Sequence, residues 1–297
     1  SPYDISFKIK DKDLSVVNSL RRIILAEINN VGFYFDPNNH DNTNNSIDIK
    51  QNDSPVHNEF LMHRIGLIPI CVSSDEILNW KNLDYSFCIE KTNNTENLLN
   101  VTTEDIKVYD SNDKFLKDVT TRYFPPDPFT KDHIIITKLD KRVGSTLSIR
   151  AKAIVANPLL SASFGMVSKC AVEFIVDEDI VTKTLNKLTS KATKEQKENI
   201  TKTFMTLEKE RCYHKNKYKE ANFFKMSIVS ECDISSIQIF KMAINTLLNK
   251  FLTLRDNKQF ELQNTNGLMV VSIPNETHTF GNVLQSLVFN HFIRESM

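Results

Sequence analysis

Arg21 and Arg22 stand side by side, and two adjacent guanidiniums are suited to bidentate contacts with carboxylates or with the carbonyls of a large partner. Four other groupings have the residue types for chemistry. His278 follows Glu276 by two positions, as a general base follows an orienting carboxylate. Cys212-Tyr213-His214 offers two metal-ligand types, His63-Arg64 suits an anion, and Asp11-Lys12-Asp13 carries two carboxylates. None of the four completes a site by its spacing. His278 sits between Thr277 and Thr279, as in a turn that opens a helix, and an apolar run adjoins His63-Arg64, which favours an ordered packing role. A tetrahedral zinc site needs a second ligand pair. Two carboxylates around a lysine fall short of a carboxylate metal triad. No nucleophile, base and oxyanion set can be assembled from spacing.

Six glycines in 297 residues, no two within six positions of each other, exclude a dinucleotide fingerprint and a phosphate-cradling loop. The charge is balanced at 37 basic and 37 acidic residues, so the chain as a whole has no electrostatic reason to coat nucleic acid or a membrane. Five widely spaced cysteines without a C-x-x-C pair read as free thiols in a reducing compartment. The longest apolar runs, such as Ile65 to Val72, fall far short of the ~20 residues of a membrane span, and a soluble protein is expected.

The elements that must position these residues follow from periodicity. Tyr3 to Ile9 alternates as a half-buried strand; Asp13 is an N-cap, and Val17, Leu20, Ile24 and Ile28 recur at helical spacing with Asn18, Arg21 and Arg22 on the opposite face. Pro37 to Asn45 is Asn-rich and reads as a surface insertion. Ile47 to Lys50 is a strand and Pro55 to Arg64 a short helix. That helix gives way to a buried run, Ile65 to Ile70, where Gly66 allows close backbone approach. Tyr85 to Phe174 is β-rich. Lys183 to Glu220 carries eleven Lys/Arg and five Asp/Glu, and reads either as a solvated helix or mobile loop or as a nucleic-acid patch. Phe223 to Val229 is a strand, Ile234 to Leu254 a long amphipathic helix, and Arg255 to Gly267 a polar loop. Leu268 to Met297 holds a strand and then a helix from about Thr279 to Ile293.

A shift of 264 residues superposes the two ends. Ile5, Phe7 and Ile9 fall on Met269, Val271 and Ile273; Asp13 falls on Thr277, Asn18 on Asn282, Leu20 on Leu284 and Ile23 on Leu287. A strand-helix unit of this size cannot cover its own apolar face, so two copies are expected to pack on each other about a pseudo-two-fold axis. They differ where a partner would be felt: Arg21-Arg22 in one copy, Gln285-Ser286 in the other.

Asn18 to Ile28 and Asn58 to Ile70 closely resemble the α-like assembly subunits of multisubunit RNA polymerases, in the form of the third subunit of RNA polymerase II and its archaeal counterpart. Ser148 to Phe174 is similar to the closing strands of that family's inserted domain, and Phe223 to Leu254 to its returning strand and dimerisation helix. Gln259 to Leu262 and Glu276 to Leu284 resemble the smaller α-like partner, whose signature is a His-Thr-Leu-Gly-Asn run. The resemblance implies an α+β fold, with a dimerisation domain at 1–33 and 172–254 interrupted by a β-rich inserted domain at 34–171. A second, partial dimerisation domain follows at 255–297.

Both α-like partners fused in one chain point to a large DNA virus, acting in a cytoplasmic virus factory or virion; a cellular homologue would be nuclear. The chain is expected to be part of a longer one. By the resemblance it is non-catalytic, an intramolecular pseudo-dimer on which the two large catalytic subunits assemble with small polymerase subunits. DNA is then reached only through the complex, and no membrane is involved. Asn18, Arg21, Arg22, His63, Arg64 and Gly66 face the second-largest subunit, while the second copy, with Asn282 and Leu284, lies nearer the largest. No cofactor is expected: of the family's four-cysteine zinc loop only Cys88 remains, and the catalytic magnesium belongs to another subunit. A stand-alone nucleic-acid binder working through 183–219 is the alternative.

Overall fold

In a computed structural model, residues 1–36, 46–190, 192–257, 260–265 and 268–294 are described. The Asn-rich stretch at 37–45 lies outside them. In chain order the elements are β1 (Asp4–Lys10), α1 (Leu14–Ala26), β2 (Asn30–Gly32), β3 (Ile47–Asn52), α2 (Asn58–Gly66), α3 (Ser74–Leu83), β4 (Ser86–Asn93), β5 (Leu99–Thr102), β6 (Ile106–Tyr109), α4 (Lys117–Tyr123), β7 (Ile135–Leu139), β8 (Ser145–Ala151) and β9 (Ile154–Ala156). There follow β10 (Val167–Phe174), α5 (Glu178–Thr189), α6 (Lys194–Leu207), β11 (Phe223–Ser230), α7 (Ser236–Asn257), β12 (Glu261–Thr265), β13 (Leu268–Ser272) and α8 (His278–Phe289), which ends in a π-type turn at Asn290–Arg294. The fold class is α+β. Two compact units form: Ser1–Leu25 with Val167–Ser230 and Ile239–Met297, and Ala26–Met166 with Glu231–Gln238.

The first unit is built on an antiparallel sheet in the order β1-β11-β10. β1 alternates as its sequence demands, with Ile5, Phe7 and Ile9 partly covered and Asp4, Ser6, Lys8 and Lys10 exposed. On the covered side Phe224, Met226 and Ile228 of β11 are fully buried. Phe7 meets Phe240 of α7 edge to face at 4.8 Å. The sheet therefore has one apolar and one wet face, the pattern an antiparallel sheet permits. α7 differs from the simple amphipathic helix its spacing predicts. Its buried stripe is Ile239, Ala243 and Leu247, while Ile237, Ile244 and Leu248 form a second apolar stripe on its exposed side. The stretch after it is also not all loop, since β12 pairs in register with β13.

The ends of the chain keep their offset in three dimensions. β1 begins at Asp4 and β13 at Leu268; α1 begins at Leu14 and α8 at His278. Each helix is capped at its expected residue. Asp13 Oδ1 accepts from the Ser15 N–H at 2.7 Å, and Thr277 Oγ1 from the Thr279 N–H at 3.3 Å.

The second unit has a four-stranded antiparallel sheet, β3-β8-β4-β6, and two strand pairs, β2-β9 and β5-β7. Its core gathers aromatic rings: Trp80 of α3 stacks on Phe87 at 6.4 Å and lies 5.9 Å from Tyr123, and its indole N–H donates to the Ala153 carbonyl at 2.9 Å. At β2, a Cβ on Gly32 would come within 3.1 Å of the Phe164 ring, so the side chain that glycine lacks is what lets the ring close on the backbone. Glu76 holds this unit together at three points. It completes a capping box with Ser73, accepts from the Tyr123 hydroxyl at 3.0 Å and ion-pairs with Arg122. Burial first, then the Glu76 contact, pushes the Tyr123 hydroxyl pKa well above its ordinary value. Glu76→Ala strands that fully buried tyrosine without an acceptor and halves the capping box. The expected loss is about 2–3 kcal/mol, read as a lowered urea midpoint.

Within Lys183 to Glu220 the chain is helical in α5 and α6, and from Glu208 onward it is a short 3-10 turn followed by turns and isolated bridges. α5 and α6 form a hairpin with a core of its own, in which Val181, Phe204 and Cys212 are packed by Val176, Ile180 and Leu185. No described helix is long and apolar enough to cross a membrane.

Candidate subunit interface

α1 and α8 lie side by side in opposite directions. The middle of α1 meets the start of α8, where the Ser19 hydroxyl donates to the Thr279 carbonyl at 2.9 Å. The start of α1 meets the end of α8: Asp13 Oδ2 accepts from the Ser286 hydroxyl at 2.8 Å and from the Asn290 amide at 3.4 Å. Asp13 thus caps its own helix with one oxygen and holds the neighbouring helix with the other. Burial raises its pKa, but the hydrogen bonds from Ser15, Ser286 and Asn290 outweigh burial and hold the carboxyl below the usual carboxylate range. A folded pKa below the unfolded one gives stability that is present above the unfolded value and is lost as pH falls through the folded one. The stability gap between the parent chain and Asp13→Asn is therefore expected to be full at pH 6 and to close below about pH 4, measured as urea midpoints across that range.

Three further contacts fix the last segment. Phe280, fully buried, packs edge to face on Phe251 at 5.0 Å. Glu276 accepts from Lys250 Nζ at 2.7 Å, so the carboxylate two positions before His278 is committed to α7 and does not orient the imidazole. Arg294 donates to Glu220 at 2.7 Å and lies over the Tyr218 ring at 4.3 Å.

Along the seam of α1 and α8 runs a cavity of about 420 Å³ lined by Asn18, Arg22, His278, Asn282 and Gln285 among others, with no acidic residue in its wall. Here the arginine pair divides. Arg21 Nε donates to Asn18 Oδ1 one turn back, at 2.9 Å, whereas Arg22 is exposed and makes no ion pair or hydrogen bond among the described residues. Asn18, Arg22 and Asn282 thus share one groove. Leu284 is part-buried on α8 and does not line it. Residue type alone does not mark His278 and Ser286 as groove residues; the 264-residue offset, which pairs them with the groove residues Leu14 and Arg22, is the signal that does, whereas Gln285 pairs with Arg21, outside the lining.

His63, Arg64 and Gly66 belong to the second unit, on α2. The His63 ring meets Phe35 edge to face at 4.8 Å, and Arg64 Nη2 donates to the Ile135 carbonyl at 2.9 Å. The run after them is not uniformly buried. α2 continues through Gly66, and Leu67, its C-cap, is exposed while Ile65, Ile68 and Ile70 are buried. Gly66 ends a regular helix, and a methyl group added there would have its nearest neighbour 3.7 Å away, so neither crowding nor backbone conformation requires glycine. Phe60 and Leu67, 68% and 71% exposed, join His63 and Arg64 on the outer face of α2. Their spacing of seven residues, one stripe over from the buried Leu61, Ile65 and Ile68, is the sequence signal for this face.

The other groupings do not converge. Cys212 lies in the hairpin core, while His214 Nδ1 sits 3.2 Å from Asp177. Among the described residues no three His, Cys, Asp or Glu side chains cluster to hold a metal.

The family of the RNA polymerase Rpb3/Rpb11 dimerisation domain matches residues 6–251. The chain is 27% identical over 165 residues to "DNA-directed RNA polymerases II, IV and V subunit 3" of Arabidopsis thaliana, covering 50% of this chain and 46% of that protein. It is 36% identical over 70 residues to "DNA-directed RNA polymerase II subunit RPB3" of Schizosaccharomyces pombe, covering 24% and 20%. It is also 27% identical over 115 residues to a "Conjugation stage-specific protein" of Tetrahymena thermophila, covering 35% and 34%. The chain spans less than half the length of each of these relatives. With the match running from β1 into α7, the chain belongs to the RNA polymerase Rpb3/Rpb11 dimerisation-domain family.

Proposed function

We propose that the chain is a non-catalytic assembly subunit of a DNA-directed RNA polymerase, in which two α-like halves joined in one polypeptide form a pseudo-dimer that carries the two large catalytic subunits. The observation that carries this reading is the reciprocal packing of α1 and α8, two capped helices 264 residues apart that line one groove. Family membership and the named relatives supply the enzyme class. On this reading the dimerisation domain comprises 1–33 and 172–254, an inserted β-rich domain occupies 34–171, and 255–297 opens the second half.

The second-largest subunit docks on Asn18, Arg21, Arg22, His63, Arg64 and Gly66, and the largest lies nearer Asn282 and Leu284. Arg22 is favoured as the principal contact, since Arg21 is already held by Asn18. The exposed Phe60 and Leu67 add apolar area beside His63 and Arg64. Arginine is enriched among the residues that dominate the energy of an interface.

Affinity purification of the tagged chain from its native source is the test. The expected result is recovery of the two largest polymerase subunits in amounts equal to the bait. Recovery as a lone chain overturns the proposal.

A further inference from the structure

β10 and β11 are neighbours in the sheet, paired from Val167↔Ser230 to Phe174↔Phe224, and a tight turn would suffice to join them. Instead the chain leaves at Phe174, builds the α5–α6 hairpin and returns at Phe223. The hairpin's core is closed by three buried residues. Outside it, Lys183, Lys187, Lys194, Lys197 and Lys202 are all exposed, and none has an ion-pair or hydrogen-bond partner among the described residues. The charge is segregated. Residues 183–219 hold eleven Lys/Arg and four Asp/Glu, whereas the rest of the chain holds twenty-six and thirty-three, so a chain of zero net charge has one strongly basic segment in an otherwise acidic sequence.

We infer that the α5–α6 hairpin is a docking surface for double-stranded nucleic acid, which it contacts through the phosphates and without sequence preference. Three features favour this partner. All six basic residues between 183 and 207 are lysines, against two acidic residues, and lysines are compact point charges that suit a dense row of phosphates better than the fixed fork needed by a single carboxylate. Lys183 and Lys187, and likewise Lys194 and Lys197, stand about one helical turn apart on exposed faces, so several phosphates can be met at once. The hairpin between 183 and 207 has a single aromatic residue, Phe204, and it is buried; unpaired bases would find no ring to stack on. This surface is distinct from the α1–α8 groove and does not depend on the partner assigned to that groove.

The test measures binding of the full chain to a labelled duplex of about 30 base pairs by fluorescence anisotropy between about 50 and 200 mM KCl. Each phosphate-contacting lysine contributes about 0.9 to the slope of log affinity against log salt. The variant Lys183→Gln, Lys187→Gln, Lys194→Gln, Lys197→Gln is expected to flatten that slope by about three to four and to weaken binding about tenfold or more at the lowest salt. All four positions are exposed and glutamine is a good helix former, so circular dichroism should be unchanged. A charge-matched control, Lys81→Gln, Lys107→Gln, Lys114→Gln, Lys138→Gln, removes four exposed lysines of the second unit and should leave the slope within about one of the parent. Equal slopes for the hairpin variant and the parent overturn the inference. So does tighter binding of polyglutamate than of the duplex at the same salt, which would make the hairpin a site for an acidic protein.

Discussion

On the proposed docking of the second-largest polymerase subunit, Arg22→Ala is expected to weaken association by roughly thirtyfold, about 2 kcal/mol, and to leave the thermal midpoint of the isolated chain within about one degree of the parent. The expectation rests on what Arg22 lacks. It is exposed, lines a groove without acidic residues, and has no partner in its own chain among the described residues. Removing it therefore strands nothing in the free protein, and its whole effect falls on the complex. Arg21→Ala is expected to behave differently, because its guanidinium is tied to Asn18. Its loss mainly frees an asparagine that water can satisfy, and binding should fall only about threefold. Titration of the purified subunit against each variant by calorimetry checks both values. The reverse order, with Arg21 dominant, would refute the division of the pair.

Phe280→Ala should have the largest effect on stability. The ring is 1% exposed, sits on Phe251 and carries the first turn of α8 into the first unit, so truncation leaves a cavity that the surrounding side chains cannot close. A loss of about 3–5 kcal/mol is expected. The neighbouring polar contacts, Ser19 to Thr279 and Lys250 to Glu276, depend on that same seat. Limited proteolysis should therefore cut the variant within 268–294 under conditions in which the parent is intact. Val288→Ala, at an exposed position on the same helix, is the control and should cost no more than about 0.5 kcal/mol. Equal protease resistance of parent and Phe280→Ala would show that α8 is held by its polar contacts alone.

The ends of the chain are more legible in sequence than its middle. β1 and α1 announce themselves because alternation and helical spacing are each sustained over several repeats and end in charged or capping residues. α8 is marked twice, by its own pattern and by the offset that sets Asn282 on Asn18. α3 escapes such a reading although Ser73 and Glu76 spell a capping box, because its only buried residues are Ile77 and Trp80 and so little apolar periodicity marks it. β12 hides in a polar stretch, since backbone pairing with β13 defines it rather than any apolar run. In the hairpin the sequence shows lysines and only faint helical spacing. Three buried residues, Val181, Phe204 and Cys212, close its core across a distance no local window covers. At the candidate interface, residue types mark Asn18 and Arg22. That Arg21 is occupied and Arg22 is not depends on side-chain direction, which adjacency in sequence does not encode.

β1 precedes every other strand among the described residues, and its partner β11 comes late in the chain. Asp4 meets Val229 and Lys10 meets Phe223, so more than two hundred further residues must be added before its partner exists. At about 5–20 residues per second this is roughly ten to forty seconds. Most of the second unit, Ala26–Met166 with its aromatic core, is made well before then, and only its last piece, Glu231–Gln238, follows β11. Lys8 and Lys10 on β1 fit such a delay, because a charged, alternating edge is a poor template for pairing with other nascent chains. Ribosome pauses placed before the codon for Phe223 should lengthen this exposed interval, and pauses after that for Ser230 should not.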